Sequence, residues 1–207
     1  MSKMSNAKVF GGIGAILSLI GGAIPGIGFV MPIVGLVLLF VAVKYISEET
    51  RDDSIFRNYL FYFVCILIAI IAAAAIVFVT IGGLSFFTLI SEEDFSGEEP
   101  SLGFLGALIG GIFIALVIAW VLLIIGTMYL RRSYNHIADH TKVDLFRTTG
   151  TVYFIGAITL VILIGALILL IAKILEIIAF FSLPDTLPKV AESETPPPVA
   201  EAAPPPE

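Results

Sequence analysis

Long uncharged apolar runs alternate with short charged connections along this 207-residue chain. Val9–Val43, Tyr59–Ile90, Leu102–Leu130 and Thr151–Ala172 contain no Asp, Glu, Lys, Arg or His. About 20 apolar residues in a helix cover a bilayer's hydrocarbon core of about 30 Å. The first run is broken by Ile24-Pro25-Gly26, and proline followed by glycine suits the centre of a type II turn. Each half then holds roughly 16 residues, or about 25 Å of helix. The pattern predicts a tight hairpin that crosses twice, over residues 9–24 and 27–45. The alternatives are a re-entrant hairpin, one kinked helix, or a signal peptide with Lys3 and Lys8 ahead of an apolar core and Gly21-Gly22-Ala23 as its cleavage region. A second apolar run following at once argues against the signal peptide. Further spans are predicted over 59–83, with Gly82-Gly83 as a fraying end, over 102–130, stopped by Arg131-Arg132, and over 151–172. The last continues as an interfacial helix through Lys173 and Glu176 to Phe181. The expected fold is an all-α integral membrane protein of about five transmembrane helices over residues 1–183. Residues 184–207, rich in Pro, Ala and Glu, have nothing to bury and are expected to be disordered.

Composition strengthens the lipid reading. Hydrophobic residues make up 58% and charged residues 14%, against about 25% charged in soluble domains. The net charge of −6 hides a lopsided distribution. Lys3, Lys8, Lys44, Arg51, Arg57, Arg131, Arg132, Lys142 and Arg147 fall on one side of a five-span arrangement, and the acidic loop 91–101 falls on the other. Basic residues are retained in the cytoplasm. The expected location is the plasma membrane, multi-pass, with the amino terminus cytoplasmic and the carboxyl terminus outside. All six tyrosines flank the two basic connections, as ring-and-hydroxyl side chains do at a headgroup layer. No basic stripe carries interleaved aromatics, so nucleic acid is not an expected partner. The lone Cys65 admits no intrachain disulfide.

Chemistry-bearing motifs are sparse. Gly14, Ser18 and Gly22 share one helix face, as do Ala107, Gly111, Ala115 and Ala119, and Ala69 with Ala73. Small faces let membrane helices approach closely. They are read as packing residues, with a homo-oligomeric seam as the alternative. His136 and His140 are one turn apart, with Asp144 one turn further. Two nitrogens and an oxygen are a weak zinc candidate; solvated histidines are the expected state, with Asp144 as a helix cap. Gly12-Ile13-Gly14 has no preceding strand and no third glycine, so it is not a nucleotide loop. Ser18 and Ser85 lack a nucleophile-elbow setting. Lys173 and Glu176, three apart, read as an ion pair near the outer boundary. Trp120 reads as a packing aromatic. No cofactor is expected.

Ile46–Asp53 followed by Ile55-Phe56-Arg57 parallels Ile137–Asp144 followed by Leu145-Phe146-Arg147, with Ser54 as an insertion. Asp53 and Asp144 are placed to cap the outgoing helices, and Phe56 and Phe146 to dip into the interface. The stretches Gly11-Gly-Ile-Gly-Ala-Ile-Leu17, Lys44-Tyr-Ile-Ser47, Ser54-Ile-Phe-Arg-Asn58, Arg131-Arg-Ser-Tyr134, Leu145-Phe-Arg-Thr-Thr-Gly150 and Ile178-Ala-Phe-Phe-Ser182, in that order, resemble an uncharacterised archaeal and bacterial membrane family, domain of unknown function 996. The resemblance covers about Ala7 to Leu183. It implies a multi-span helical protein and brings no activity, cofactor or catalytic residue. Without intramembrane charge in the four runs, proton relays and ion-coupled carriers lack their usual groups. The expected function is a structural or interaction component of the membrane, not an enzyme, whose partners are the bilayer and a second copy or another membrane protein. The alternative is a small channel, carrier or exporter subunit for a neutral or apolar solute, lined by Ser18, Thr80, Thr127 and Thr159. A lipid enzyme around Arg131, His136, His140 and Asp144 stands third.

Overall fold

The computed structural model describes residues 2–21, 30–94 and 102–187. The Pro25-Gly26 turn, Gly22, residues 95–101 of the acidic loop and the prolines from 188 onward lie outside the described residues. Helices α1 (Lys3–Ile20), α2 (Val30–Thr50), α3 (Asp53–Asp94), α4 (Leu102–Thr141), α5 (Leu145–Thr159) and α6 (Ile164–Phe181) follow in order, with a 3-10 turn at Leu160–Ile162. The described residues contain no strand. Five helical stretches are long and apolar enough to cross a membrane: Val30–Thr50, Asp53–Ile76, Ile109–Thr141, Leu145–Ile162 and Ile164–Phe181.

The expected single span over 151–172 is corrected: it is two helices folded against each other. Leu163 adopts a left-handed conformation, φ 61°, directly after the 3-10 turn. Its N–H bonds Leu160 O at 3.0 Å, and Ala166 N–H bonds Leu163 O at 3.1 Å. The reversal therefore pairs two of its own N–H groups. Helix α6 then runs back along α5. A Cβ at Gly156 would lie 2.9 Å from the Leu169 side chain, and Gly165 lies against the backbone of Gly156 and Leu160. Phe146 and Phe180, at the far ends of the two helices, meet at 5.1 Å. No proline or charge marks the bend, so hydropathy alone reads straight through it.

This reversal also corrects the expected placement of the start of α1 and the end of α6 on opposite sides. The Ser2 hydroxyl donates to Asp185 O at 2.7 Å, and Lys8 lies 3.7 Å from the Asp185 carboxylate. Lys3 pairs with Glu48 at 2.8 Å and Arg147 with Asp139 at 2.5 Å. The start of α1, both basic connections and the end of α6 therefore gather at one end of the bundle.

Two other boundaries move. Helix α3 passes through Gly82-Gly83 to Asp94, and α4 passes Arg131-Arg132 to Thr141. With 42 and 40 residues, they are about 63 and 60 Å long, roughly twice the other helices. They pair antiparallel: Phe61 stacks on Tyr129 at 5.1 Å, and the Ser133 hydroxyl donates to Ile55 O at 2.8 Å. The fully buried side chains, including Met4, Ile46, Ile55, Tyr59, Leu130, Tyr134, Ile137, Phe146 and Phe180, lie towards the end where the connections gather. Away from it, Phe78 is 79% exposed and Phe113 67%. Apolar side chains that point outward along a bundle are what lipid requires and water penalises.

The internal similarity has a structural counterpart at a constant spacing of 91 residues, and the expected insertion at Ser54 is not needed. Arg51 and Lys142 are both left-handed, φ 55° and 59°. Thr50 and Thr141 each bond back, to Ile46 O at 2.9 Å and Ile137 O at 2.7 Å. Ile55 N–H bonds Asp52 O and Phe146 N–H bonds Val143 O. Ile46 and Ile137 are buried alike, as are Ile55 and Phe146, and Tyr62 and Tyr153. Each incoming helix thus ends on a basic residue whose left-handed backbone turns the chain.

Helices α1 and α2 touch backbone to backbone. A Cβ on Gly35 would sit 2.6 Å from Gly14 O and 2.6 Å from Ser18 N, whereas one on Gly111 meets nothing within 4 Å. Gly35→Ala is expected to destabilise the protein by about 1–3 kcal/mol, and Gly111→Ala to stay within about 0.5 kcal/mol of wild type. Thermal unfolding of the two variants in detergent measures the difference.

Candidate functional site

Lys173 and Glu176, three residues apart, lie on one face of α6. Because α6 folds back on α5, that face looks into the bundle and not towards an outer boundary, which corrects the expected placement of the pair. Glu176 is 2% exposed. Its carboxylate accepts from the Tyr134 hydroxyl of α4, the Tyr153 hydroxyl of α5 (2.8 Å) and Lys173 Nζ (2.9 Å). Lys173 also donates to Ser18 Oγ of α1 at 2.9 Å and lies 5.7 Å from the centre of the Tyr153 ring. One ion pair therefore ties four helices together. A buried carboxylate is tolerated only when a counter-charge and donors replace its water, and all of these are present.

An aromatic shell encloses the pair. Tyr59 stacks on Tyr134 at 6.4 Å, Tyr62 meets Tyr59 edge-on at 5.4 Å, and Phe146 meets Tyr134 edge-on at 5.4 Å. Tyr59, Tyr62, Tyr134 and Tyr153 are all buried. The expectation that all six tyrosines line a headgroup belt is corrected for these four, and Phe146 lies in the core and not at an interface. The Tyr59 hydroxyl is buried without a hydrogen-bond partner. As chemistry, the cluster holds a charge pair in balance and orders phenol hydroxyls around it. Both Glu176 oxygens accept hydrogen bonds, Oε1 one and Oε2 two. The sequence held one signal for this site: a Lys and a Glu one turn apart on an otherwise apolar helix.

A second polar cluster lies at the α2–α3 connection. Asp52 Oδ2 is 3.1 Å from both His136 Nδ1 and His140 Nε2. An ionised carboxylate has no proton to give, so both rings donate to it. Asp52 Oδ1 accepts from the Ser54 amide at 2.9 Å and the Ser54 hydroxyl at 2.5 Å. Asp52, not Asp53, therefore caps α3. Asp144 makes no capping bond and pairs with Arg147 at 3.9 Å. The grouping of His136 and His140 with Asp144 is corrected accordingly. Among the described residues no set of three or more His, Cys, Asp or Glu is disposed to hold a metal ion. Partial burial pushes the Asp52 carboxyl up, but the Ser54 hydroxyl and amide, His140 and His136 outweigh it and hold the group down at about 2.

The small residues are divided. A Cβ on Gly14 would lie 2.7 Å from Gly35 O. The Ser18 hydroxyl donates to Ala15 O and receives Lys173. Gly111 faces open space and Ala115 is half-buried. The Ala73 and Ala107 side chains lie outside the described residues. Trp120 donates from Nε1 to Ala157 O at 2.9 Å, joining α4 to α5. Arg131 sits 5.9 Å from the centre of the Phe154 ring, apart from the histidines.

The profile of the family described as protein of unknown function (DUF996) matches residues 31–174. This chain belongs to that family. The matched stretch takes in all four buried tyrosines and Lys173, and stops just short of Glu176. An uncharacterized protein of Methanocaldococcus jannaschii is 35% identical over 185 residues, which is 89% of this chain and 96% of the relative. No solved structure matches the chain.

Two measurements test the clusters. Glu176→Ala, which strands Lys173 and two phenols, is expected to cost about 3 kcal/mol or more, while the double variant Lys173→Met/Glu176→Gln recovers a large part of the loss; unfolding in detergent reads both. The Asp52 bonds contribute fully above the carboxyl's ordinary value of 3.8, and the contribution is lost as pH falls through about 2. Asp52→Asn should therefore be less stable than wild type near neutrality, by about 1 kcal/mol once partial solvation is allowed for. The two should converge only below about pH 2, which unfolding followed across pH would show.

Proposed function

We propose that this family member is a structural or interaction component of the plasma membrane with no catalytic activity of its own. Its basic end, carrying Lys3, Lys8, Lys44, Arg51, Arg57, Arg131, Arg132, Lys142 and Arg147, faces the cytoplasm under the retention rule for Lys and Arg. Both the start of α1 and the end of α6 then lie on that side. The observation that carries the reading is the engagement of Glu176: three donors from three helices hold the buried carboxylate as a tie between helices. Its partners are the bilayer and, along the exposed faces of α3 and α4, helices of another copy or of another membrane protein.

A path for a neutral solute has less support. The Thr127 hydroxyl bonds Leu123 O at 2.9 Å and the Thr159 hydroxyl bonds Ile155 O at 2.8 Å, each on its own helix. Such hydroxyls satisfy themselves and do not line a shared channel. Thr80 has its side chain outside the described residues.

Purified protein in liposomes is expected to add no flux of protons, read by an encapsulated pH dye, and none of glycerol, read by light scattering. In mild native extracts it should migrate as one discrete species. A saturable flux that Glu176→Gln abolishes would overturn the proposal in favour of a carrier.

A further inference from the structure

We infer that α5 and α6 form a re-entrant hairpin whose tip, Leu160–Ile164, is seated in acyl chains within the bilayer and meets water on neither side. The inference rests on the membrane setting proposed above, but not on which face is cytoplasmic.

Two kinds of length place the tip, the uncharged reach of the hairpin itself and the reach of α4 beside it. Arg147 and Lys173 bracket about 25 uncharged residues. As one straight helix these would reach about 37 Å and cross; bent at Leu163 they reach about half as far. From Thr148 to Ile162 the ascending leg has about 15 uncharged residues, or about 22 Å, and from Ile164 to Ala172 the descending leg has about 9, or about 13 Å. Counted to the flanking charges, both are shorter than a core of about 30 Å, although Leu145–Ile162 and Ile164–Phe181 are each, end to end, long and apolar enough to cross. Helix α4 supplies the second. Trp120 bonds Ala157 just below the tip, and it lies about 16 Å along α4 from Arg131. Helix α4 then continues to Leu102, far beyond the end of the hairpin.

The tip has the chemistry this depth demands. Val161 is 68% exposed, Ile162 66% and Leu163 80%, and Leu160–Ile164 holds no polar side chain. A turn emerging into water would carry polar, Gly, Asn or Pro residues. Irregular backbone within hydrocarbon must satisfy itself. Here the Leu163 and Ala166 N–H groups are bonded inside the turn, and the Thr159 hydroxyl folds back onto Ile155 O. The one occupant that fits an apolar tip short of the far ends of α3 and α4 is lipid hydrocarbon.

Single cysteines in a Cys65→Ser background test this in the full chain, in intact and then permeabilised cells, with a membrane-impermeant maleimide. Glu49→Cys and Thr186→Cys are expected to label on one common side and Gly97→Cys on the other. Leu163→Cys, with Val161→Cys as a second variant, should label at least tenfold more slowly than these from either side and react fully only in denaturing detergent. A spin label at either tip position should collide more with oxygen than with a water-soluble nickel chelate. Tip labelling from an aqueous side at a rate within threefold of Gly97→Cys, or Thr186→Cys labelling on the side of Gly97→Cys, would overturn the hairpin. If Glu49→Cys and Thr186→Cys both label from outside while the tip stays silent, the hairpin stands and the proposed sidedness fails.

Discussion

A left-handed Leu163 turns the chain back on itself, and the position of almost everything else at the basic end follows from that reversal. With α6 antiparallel to α5, Glu176 comes level with Tyr153, Lys173 reaches Ser18, and Asp185 lies beside Ser2. Were residues 151–181 one continuous helix, Lys173 and Glu176 would stand about 30 Å or more from Thr151, and neither Tyr153 nor Ser18 could meet them. The bend is permitted locally because Gly165 lets its backbone lie against Gly156 and Leu160, and because the turn bonds its own N–H groups.

The helical class and the long apolar stretches could be read from hydropathy, because length and absence of charge are one-dimensional properties. The two basic connections were also legible. The threonine, left-handed cation and acid that recur at 46–53 and 137–144 are local chain chemistry, and local chemistry survives in sequence. The reversal at Leu163 was not legible, since it has no proline, charge or polar turn residue; its cause lies in contacts between residues on opposite legs. The site was hidden for the same reason. Lys173 and Glu176 are visible as a pair, but whether such a pair faces outward or inward depends on α6 running back, which no single helix records. Tyrosine position was misleading in a related way: depth along the helices was near the boundary, whereas direction, inward and not towards lipid, is set by the neighbouring helices.

The repeat adds to this picture. At a spacing of 91, Tyr62 corresponds to Tyr153 and Tyr59 to Gly150, and both halves end their incoming helix in the same way. Yet Tyr153 bonds Glu176, whereas Tyr62 packs on Tyr59. Gly150 allows α5 to approach α4, where a Cβ would lie 2.9 Å from Arg131 Cα, and this brings Tyr134 and Tyr153 to one carboxylate. The first half instead holds Tyr59 at that position, with its ring stacked on Tyr134. The two halves share a turn and differ in the residue that decides whether a polar tie or an aromatic stack fills the space between helices. The carboxylate itself comes from α6, outside both halves.

The need for such a tie follows from the solvent. In water, α6 would be driven onto the bundle by burying its apolar side chains. In lipid the surrounding chains are as apolar as Leu or Ile, so that drive is absent and packing or polar contacts must hold helices together. Helix α6 has both in sequence along its length. Near the tip, Gly156 and Gly165 permit close backbone contact. Near the boundary, Glu176 gathers Tyr134, Tyr153 and Lys173, and Lys173 gathers Ser18. The carboxylate also selects among arrangements: rotating α6 by one residue, about 100°, would turn Glu176 away from both phenols and leave it facing hydrocarbon uncompensated. Apolar packing alone penalises such a slip weakly, because any face of an apolar helix is acceptable to lipid. A buried ion pair adds little net stability, but it makes the wrong rotations costly, and this accounts for a single charge pair within an otherwise apolar hairpin.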